Sequence, residues 1–99
     1  MLDIKKTIEG EKALLELSGR IDSNTAVELE QAVKASIDGI TDFTMDMKEI
    51  EYISSAGLRV LLAAQKQMNK QGKMTILHVN ETVMEIFEIT GFSDILTIE

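Results

Sequence analysis

The sequence predicts an α/β domain with element order β-β-α-β-α-β-α-β, a mixed sheet with an N-terminal hairpin, mostly parallel strands and helices packed on the sheet. Three observations lead there. Apolar residues recur at even spacing through the first twenty positions, around a glycine turn. Beyond residue 24, stretches with helical periodicity alternate with short apolar runs, which is the pattern of strands joined by right-handed crossovers. The chain of 99 residues, 44% apolar and 27% charged, can close one core and is too short for two, so residues 1–99 are expected to form a single domain.

Leu2, Ile4 and Ile8 mark the first strand, and Glu9-Gly10-Glu11 supplies a tight turn. Ala13, Leu15 and Leu17 alternate with Leu14, Glu16 and Ser18 in an antiparallel second strand that Gly19 is expected to end. Leu29, Val33 and Ile37 then stand four apart, flanked by Ala26 and Ala32, on one face of a helix. Thr25 followed by Glu28 reads as its capping box and Gly39 as its stop. Phe43 to Met47 alternates as a third strand, leaving Lys48 to Ser54 as a loop pinned by Ile50 and Ile53. Leu58, Leu61, Leu62, Gln65 and Met68 stripe a second helix closed by Gly72. Met74 to Val79 is apolar on both faces, as in a buried central strand. Asn80 caps a third helix with Val83, Ile86 and Phe87 inward and Gly91 at its end, and Ile95 to Ile98 is read as a last short edge strand.

Composition narrows the functional classes. A net charge of −7 with scattered Lys and Arg, of which Lys5-Lys6 is the only adjacent pair, disfavours nucleic acid. There is no Cys, so disulfides and thiolate metal sites are excluded, and no metal or cofactor is expected. MLDIKKTIEG lacks an apolar signal core and no window approaches a membrane span, so a cytoplasmic, membrane-free protein is expected.

The informative stretch is IEYISSAGLRVLL. Loops that follow parallel strands emerge at one sheet edge, so Arg20–Asn24 and the loop ending at Ser54 should be neighbours, bringing Asp22 toward Ser54 and Ser55. One serine explains itself as a helix N-cap. A second does not, and Gly57 inside the first turn suggests close approach of another backbone. A nucleophilic serine would need a base; the single His78 at a strand end, without a G-x-S-x-G elbow, makes a poor partner, so the chain is not read as an enzyme. No Gly-rich phosphate loop points to nucleotide binding. A serine on an exposed helix N-terminus could instead accept a phosphoryl group, which adds about −1.5 to −2 charge and three acceptors without disturbing the fold.

These residues resemble the STAS domain, and within it the bacterial anti-sigma factor antagonists. The resemblance is carried by LSGRIDSNTAVELE, TMDMKEIEYISSAGLRVLL and VMEIFEITGF, in that order over nearly the whole chain. Aligned on Gly57-Leu58, it implies that Ser55 is the phosphoacceptor and Asp22 the family's loop aspartate. Ser54 stands where the family has Asp, a departure that makes it a minor second acceptor candidate. The resemblance implies partner switching: the unmodified protein, a monomer, binds an anti-sigma factor that is itself a serine kinase and so frees a sigma factor. Phosphorylation ends the contact, and a metal-dependent PP2C-type phosphatase resets it. The implied binding face comprises Asp22, Ser23, Asn24, Ser54, Ser55, Ala56, Gly57, Arg59, Ala63 and Lys66, the last three on the outward side of the second helix. The alternative is a STAS module that is not phosphorylated and serves as scaffold or sensor in a transporter, lipid-trafficking or stressosome-type assembly.

Overall fold

A computed structural model describes residues 2–99. The elements are β1 (Leu2–Glu9), β2 (Lys12–Ile21), α1 (Thr25–Ser36), β3 (Asp42–Ile53), α2 (Ser55–Gln71), β4 (Lys73–Leu77) and α3 (Glu81–Thr90), followed by a 3₁₀ turn at Phe92–Asp94. One four-stranded sheet runs in the order β1-β2-β3-β4. β1 and β2 form the antiparallel hairpin, with Leu2 opposite Gly19 and Glu9 opposite Lys12. β2, β3 and β4 are mutually parallel, so each of the connections β2–β3 and β3–β4 needs a crossover, which α1 and α2 provide.

Register explains the two faces of the sheet. Leu15, Met45 and Ile76 pair across three strands, as do Ala13, Phe43 and Met74, and all six are buried. The alternating rows carry Lys12, Asp42 and Lys73 or Glu16 and Asp46, which belong in water. α1 packs on β1, β2 and α2, while α2 packs on β3 and β4, each contributing an apolar stripe of Leu29 and Val33 or of Leu58, Leu61, Ala64 and Met68. α3 sits against β3 with Val83 and Phe87 fully buried; Ile86 is only half-buried. Its Asn80 side chain accepts from the Val83 amide at 2.9 Å and donates to the Ile50 carbonyl at 2.7 Å, so one residue both caps α3 and ties it to β3.

Several expectations are corrected. β2 does not stop at Gly19 but continues to Ile21, because register shifts between Glu16 and Ser18 and between Gly19 and Arg20 absorb an irregularity there, with Gly19 at φ 113°. Lys48 to Ile53 is strand and not loop; β3 keeps pairing with β2 to its last residue, Ile53 opposite Ile21. α1 closes at Ser36 with Ile37 as C-cap, ahead of Gly39. β4 ends at Leu77, since His78 takes φ 60°. β4 is also the outermost strand and not a central one. α2 packs on it, and the C-terminal segment covers its outer edge: the Ile76 amide donates to the Thr97 carbonyl at 2.8 Å and the Ile76 carbonyl accepts from the Glu99 amide at 2.9 Å. This single parallel bridge, Ile76 to Ile98, is all that forms of the expected fifth strand. Among the described residues no helix is long and apolar enough to cross a membrane.

Candidate functional site

The C-terminal ends of β2 and β3 finish side by side, and each leads directly into a helix. Because both strands run to their last paired residues, the two connections are short and locked together. The Ser54 amide donates to the Ile21 carbonyl at 2.7 Å, so the residue before Asp22 is bonded to the residue before Ser55. The juxtaposition expected from parallel topology is thus made by a backbone hydrogen bond at the sheet edge.

Asp22 is occupied by its own loop. One carboxylate oxygen accepts from the Asn24 amide and from the Thr25 amide, both at 2.9 Å, and from the Thr25 hydroxyl at 3.2 Å. In return the Asp22 amide donates to Thr25 Oγ1 at 2.8 Å. This reciprocal pattern is the capping box of α1, one turn earlier than the Thr25/Glu28 pair expected, because Asp22 also supplies the carbonyl that the Ala26 amide meets at 2.9 Å. Asn24 makes no side-chain capping bond. The Thr25 amide, followed by the Asn24 amide and the Thr25 hydroxyl, outweighs partial burial and holds the Asp22 carboxyl below the usual carboxylate range. Asp22 is therefore an anion at neutral pH, standing at the mouth of the site.

The two serines divide the work. Ser54, half-buried and extended at φ −88° and ψ 172°, is the N-cap of α2, its hydroxyl accepting from the Gly57 amide at 3.3 Å. Ser55 is the first helical residue, exposed, and its hydroxyl enters no protein hydrogen bond among the described residues. Gly57 has a specific reason to lack a side chain. A Cβ there would stand 2.5 Å from Ile21 Cγ2 and 2.7 Å from Ile53 Cγ1, so glycine lets the first turn of α2 close onto the ends of β2 and β3. Side chains approach it, where backbone was expected.

Ser23, Ala56 and Arg59 line a shallow groove between the starts of α1 and α2, together with Ala26, Val27 and Val60. Ala63 lines its continuation toward the far end of the two helices. Arg59, Ala63 and Lys66 are exposed on the outward side of α2 and Asn24 on the α1 loop, whereas Gly57 is buried beneath. Sequence reading missed one neighbour of this rim. Arg20 and Tyr52 are register partners at the ends of β2 and β3, with the guanidinium 5.1 Å from the ring centroid. The pairing register alone would have revealed them. His78 lies outside the serine site: its Nδ1 is 3.0 Å from Asp46 Oδ1. Burial pushes the Asp46 carboxyl up, but the His78 contact and the Lys48 amide prevail and hold it below the usual range. Among the described residues no group of three or more acidic or His side chains is placed to hold a metal ion.

Comparison with known proteins gives a consistent picture. The sequence model of the STAS domain matches residues 3–99. A Bordetella bronchiseptica protein named as an anti-sigma factor antagonist, BtrV, is 38% identical over 84 residues, covering 83% of this chain and 72% of its own. The anti-sigma-B factor antagonist of Staphylococcus aureus is 29% identical over 97 residues, covering 96% and 90%. The crystal structure of an anti-sigma factor antagonist from Mycobacterium paratuberculosis superimposes with a TM-score of 0.89 at 22% identity, covering 99% of this chain and 85% of that one, a likeness of fold.

Proposed function

The chain belongs to the STAS domain family, among its anti-sigma factor antagonists, and from that premise we propose that it is a phosphorylation-controlled partner switch. Its unmodified form binds an anti-sigma factor that is a serine kinase, and this capture frees a sigma factor. The kinase transfers the γ-phosphoryl group of ATP to the Ser55 hydroxyl, releasing ADP and the hydroxyl proton, and the complex then separates. A PP2C-type phosphatase hydrolyses the phosphoserine and restores binding.

One observation carries the reading: Ser54 already satisfies the helix cap, and Ser55 beside it is exposed with a free hydroxyl. A phosphate on Ser54 would have to break the cap first, which ranks Ser55 ahead of it. Phosphorylating Ser55 would place a near-dianion in a face that already holds the Asp22 carboxylate. In the free protein that charge faces water and the amides of the first turn of α2, which favour it. In a complex it would be desolvated against the partner. Shifting a complex from about 99:1 to 1:99 requires roughly 5.5 kcal/mol, and an unpaired dianion in an interface is of that order. Asp22, Ser23, Asn24, Ser54, Ala56, Arg59, Ala63 and Lys66 are the contact residues of this reading, with Gly57 holding the rim in place beneath them.

The test is incubation with ATP and the cognate anti-sigma kinase, followed by intact mass and site mapping. One added phosphate on Ser55 is expected; a protein that stays unmodified overturns the proposal. Ser55→Ala should hold the kinase persistently and Ser55→Glu weakly. If both variants bind as the parent does, the interface lies elsewhere and the reading as a non-phosphorylated scaffold takes its place.

A further inference from the structure

Charge is distributed very unevenly along this chain. Residues 79–99 carry five of its seventeen acidic residues, Glu81, Glu85, Glu88, Asp94 and Glu99, and none of its ten Lys and Arg. That segment alone accounts for −5 of the net −7. Most of it is α3. Glu81, Glu85 and Glu88, spaced by four and three, are exposed on one stripe, and none has an ion-pair partner among the described residues. Like charges at these spacings repel and weaken a helix. Glu88 also lies in the last turn, where the helix dipole disfavours an anion and where α3 has no basic residue to offset it. Glu81, in the first turn, is favoured by the helix dipole, but nothing inside the fold compensates Glu85 and Glu88, which marks them as serving something outside.

The same stripe borders apolar surface. The three glutamates rim a shallow depression to which Val79 and Met84 contribute half-buried aliphatic walls. Ile89, four residues after Glu85, is 85% exposed, far more than any other exposed large hydrophobic residue of the described chain, and Ile95 beyond the helix is 46% exposed. Aliphatic surface on the two flanks of unpaired carboxylates, Met84 on one and Ile89 on the other, matches the side chains of Lys and Arg, which are apolar along the stem and cationic at the tip.

We propose that the outer face of α3 is a second docking surface, distinct from the Ser55 rim, for an amphipathic basic segment of another protein, its Lys or Arg residues meeting Glu81, Glu85 and Glu88 and its aliphatic residues covering Ile89 and Met84. The chemistry decides the class of occupant. Phosphate-bearing polymers and anionic membranes are repelled by this face. A second copy of the chain is also a poor fit, because its own ten basic residues are dispersed and its net charge is −7.

The experiment titrates the isotopically labelled full chain with a short synthetic helix bearing Lys and Leu at four-residue spacing, and with the same helix carrying Glu for Lys. Amide shifts confined to residues 79–95 are expected with the Lys helix, fading at about 0.5 M salt, and none with the Glu helix. Glu85→Lys/Glu88→Lys and, separately, Ile89→Ser should each weaken binding about tenfold or more. The charge variant should at the same time raise Tm or leave it unchanged, since it adds an i,i+4 attraction to Glu81 and a cation in the last turn while the 85/88 pair stays like-charged. Shifts spread over other acidic surfaces, or an Ile89→Ser variant that binds as well as the parent, would show only diffuse charge attraction and overturn the proposal. Sedimentation that reveals a dimer abolished by Ile89→Ser would overturn it in favour of self-association. Ser55→Glu should leave the titration unchanged, so this inference and the phosphoswitch stand or fall separately.

Discussion

The two connections at the sheet edge begin alike and end differently. Each follows a parallel strand, opens a helix and places a small polar residue at the turn. In the β2–α1 connection the polar group is spent: Asp22 is held by two amides and a hydroxyl, and its own amide is bonded in return. In the β3–α2 connection a single bond, from the Gly57 amide to the Ser54 hydroxyl, completes the cap, and the next hydroxyl is left over. A residue consumed by local structure fixes geometry, whereas one left unspent is available for chemistry. The comparison therefore separates the part of the rim that positions from the part that reacts, and mutation can test that separation by stability alone.

The largest effect should come from the residue that both connections share. Gly57→Ala puts a methyl group against Ile21 and Ile53, whose side chains are sealed in the core and cannot retreat. Overpacking of this kind costs about 1–3 kcal/mol. Thermal unfolding should show a Tm fall of roughly 5–15 °C for a domain of this size. An unchanged Tm would mean that α2 is not seated on the strand ends as described.

Asp22→Ala should come next, with a Tm fall smaller than that of Gly57→Ala and larger than that of Ser54→Ala, because it removes more bonds than a single cap. The pH dependence gives a sharper reading. The folded-state pKa of Asp22 is depressed, so its stabilisation is present above the ordinary carboxylate pKa and is lost as pH falls through the folded value. The Tm gap between the parent and Asp22→Asn, constant near neutrality, should therefore shrink as pH drops below about 4. A gap that persists undiminished in acid would show that charge on Asp22 does not hold the cap.

How much of this was legible beforehand follows from what each residue interacts with. The hairpin, the three helices and the parallel core could be read from Leu15, Leu29, Leu61 and Phe87, because burial imposes a period on apolar residues that survives in one dimension. Strand ends could not. Lys48 and Glu49 are exposed within β3, and a strand held by backbone pairing to a neighbour thirty residues away leaves little trace in its side chains. Ile95 to Ile98 failed for the opposite reason: an apolar run looked like a strand, but only Ile98 reaches a bridge while the chain before it tightens into a 3₁₀ turn. At the site, the adjacency of the connection carrying Asp22 and the one carrying the serines followed from topology, since parallel strands end at one edge. The exact cap did not: Thr25 followed by Glu28 matched the capping pattern, whereas the reciprocal bonds form between Asp22 and Thr25 inside the loop itself. Arg20 with Tyr52 was invisible, as cross-strand partners depend on a register that two shifts in β2 had altered.

The smallest effects decide the most. Ser54→Ala should cost about 1 kcal/mol, the usual value of an N-cap hydroxyl. Ser55→Ala should stay within about 0.5 kcal/mol of the parent, as expected for an exposed position whose side chain bonds to nothing. Chemical denaturation at equal slope resolves this difference through the transition midpoints. If Ser55→Ala proved as damaging as Ser54→Ala, the hydroxyl at 55 would be a structural donor or acceptor, and modifying it would disturb α2 itself. The surface would then be lost along with the fold around it, and a switch that removes binding while sparing structure would have no physical basis at that position. A stability-neutral Ser55→Ala that nonetheless changes partner release is the combination that only an unspent hydroxyl can produce.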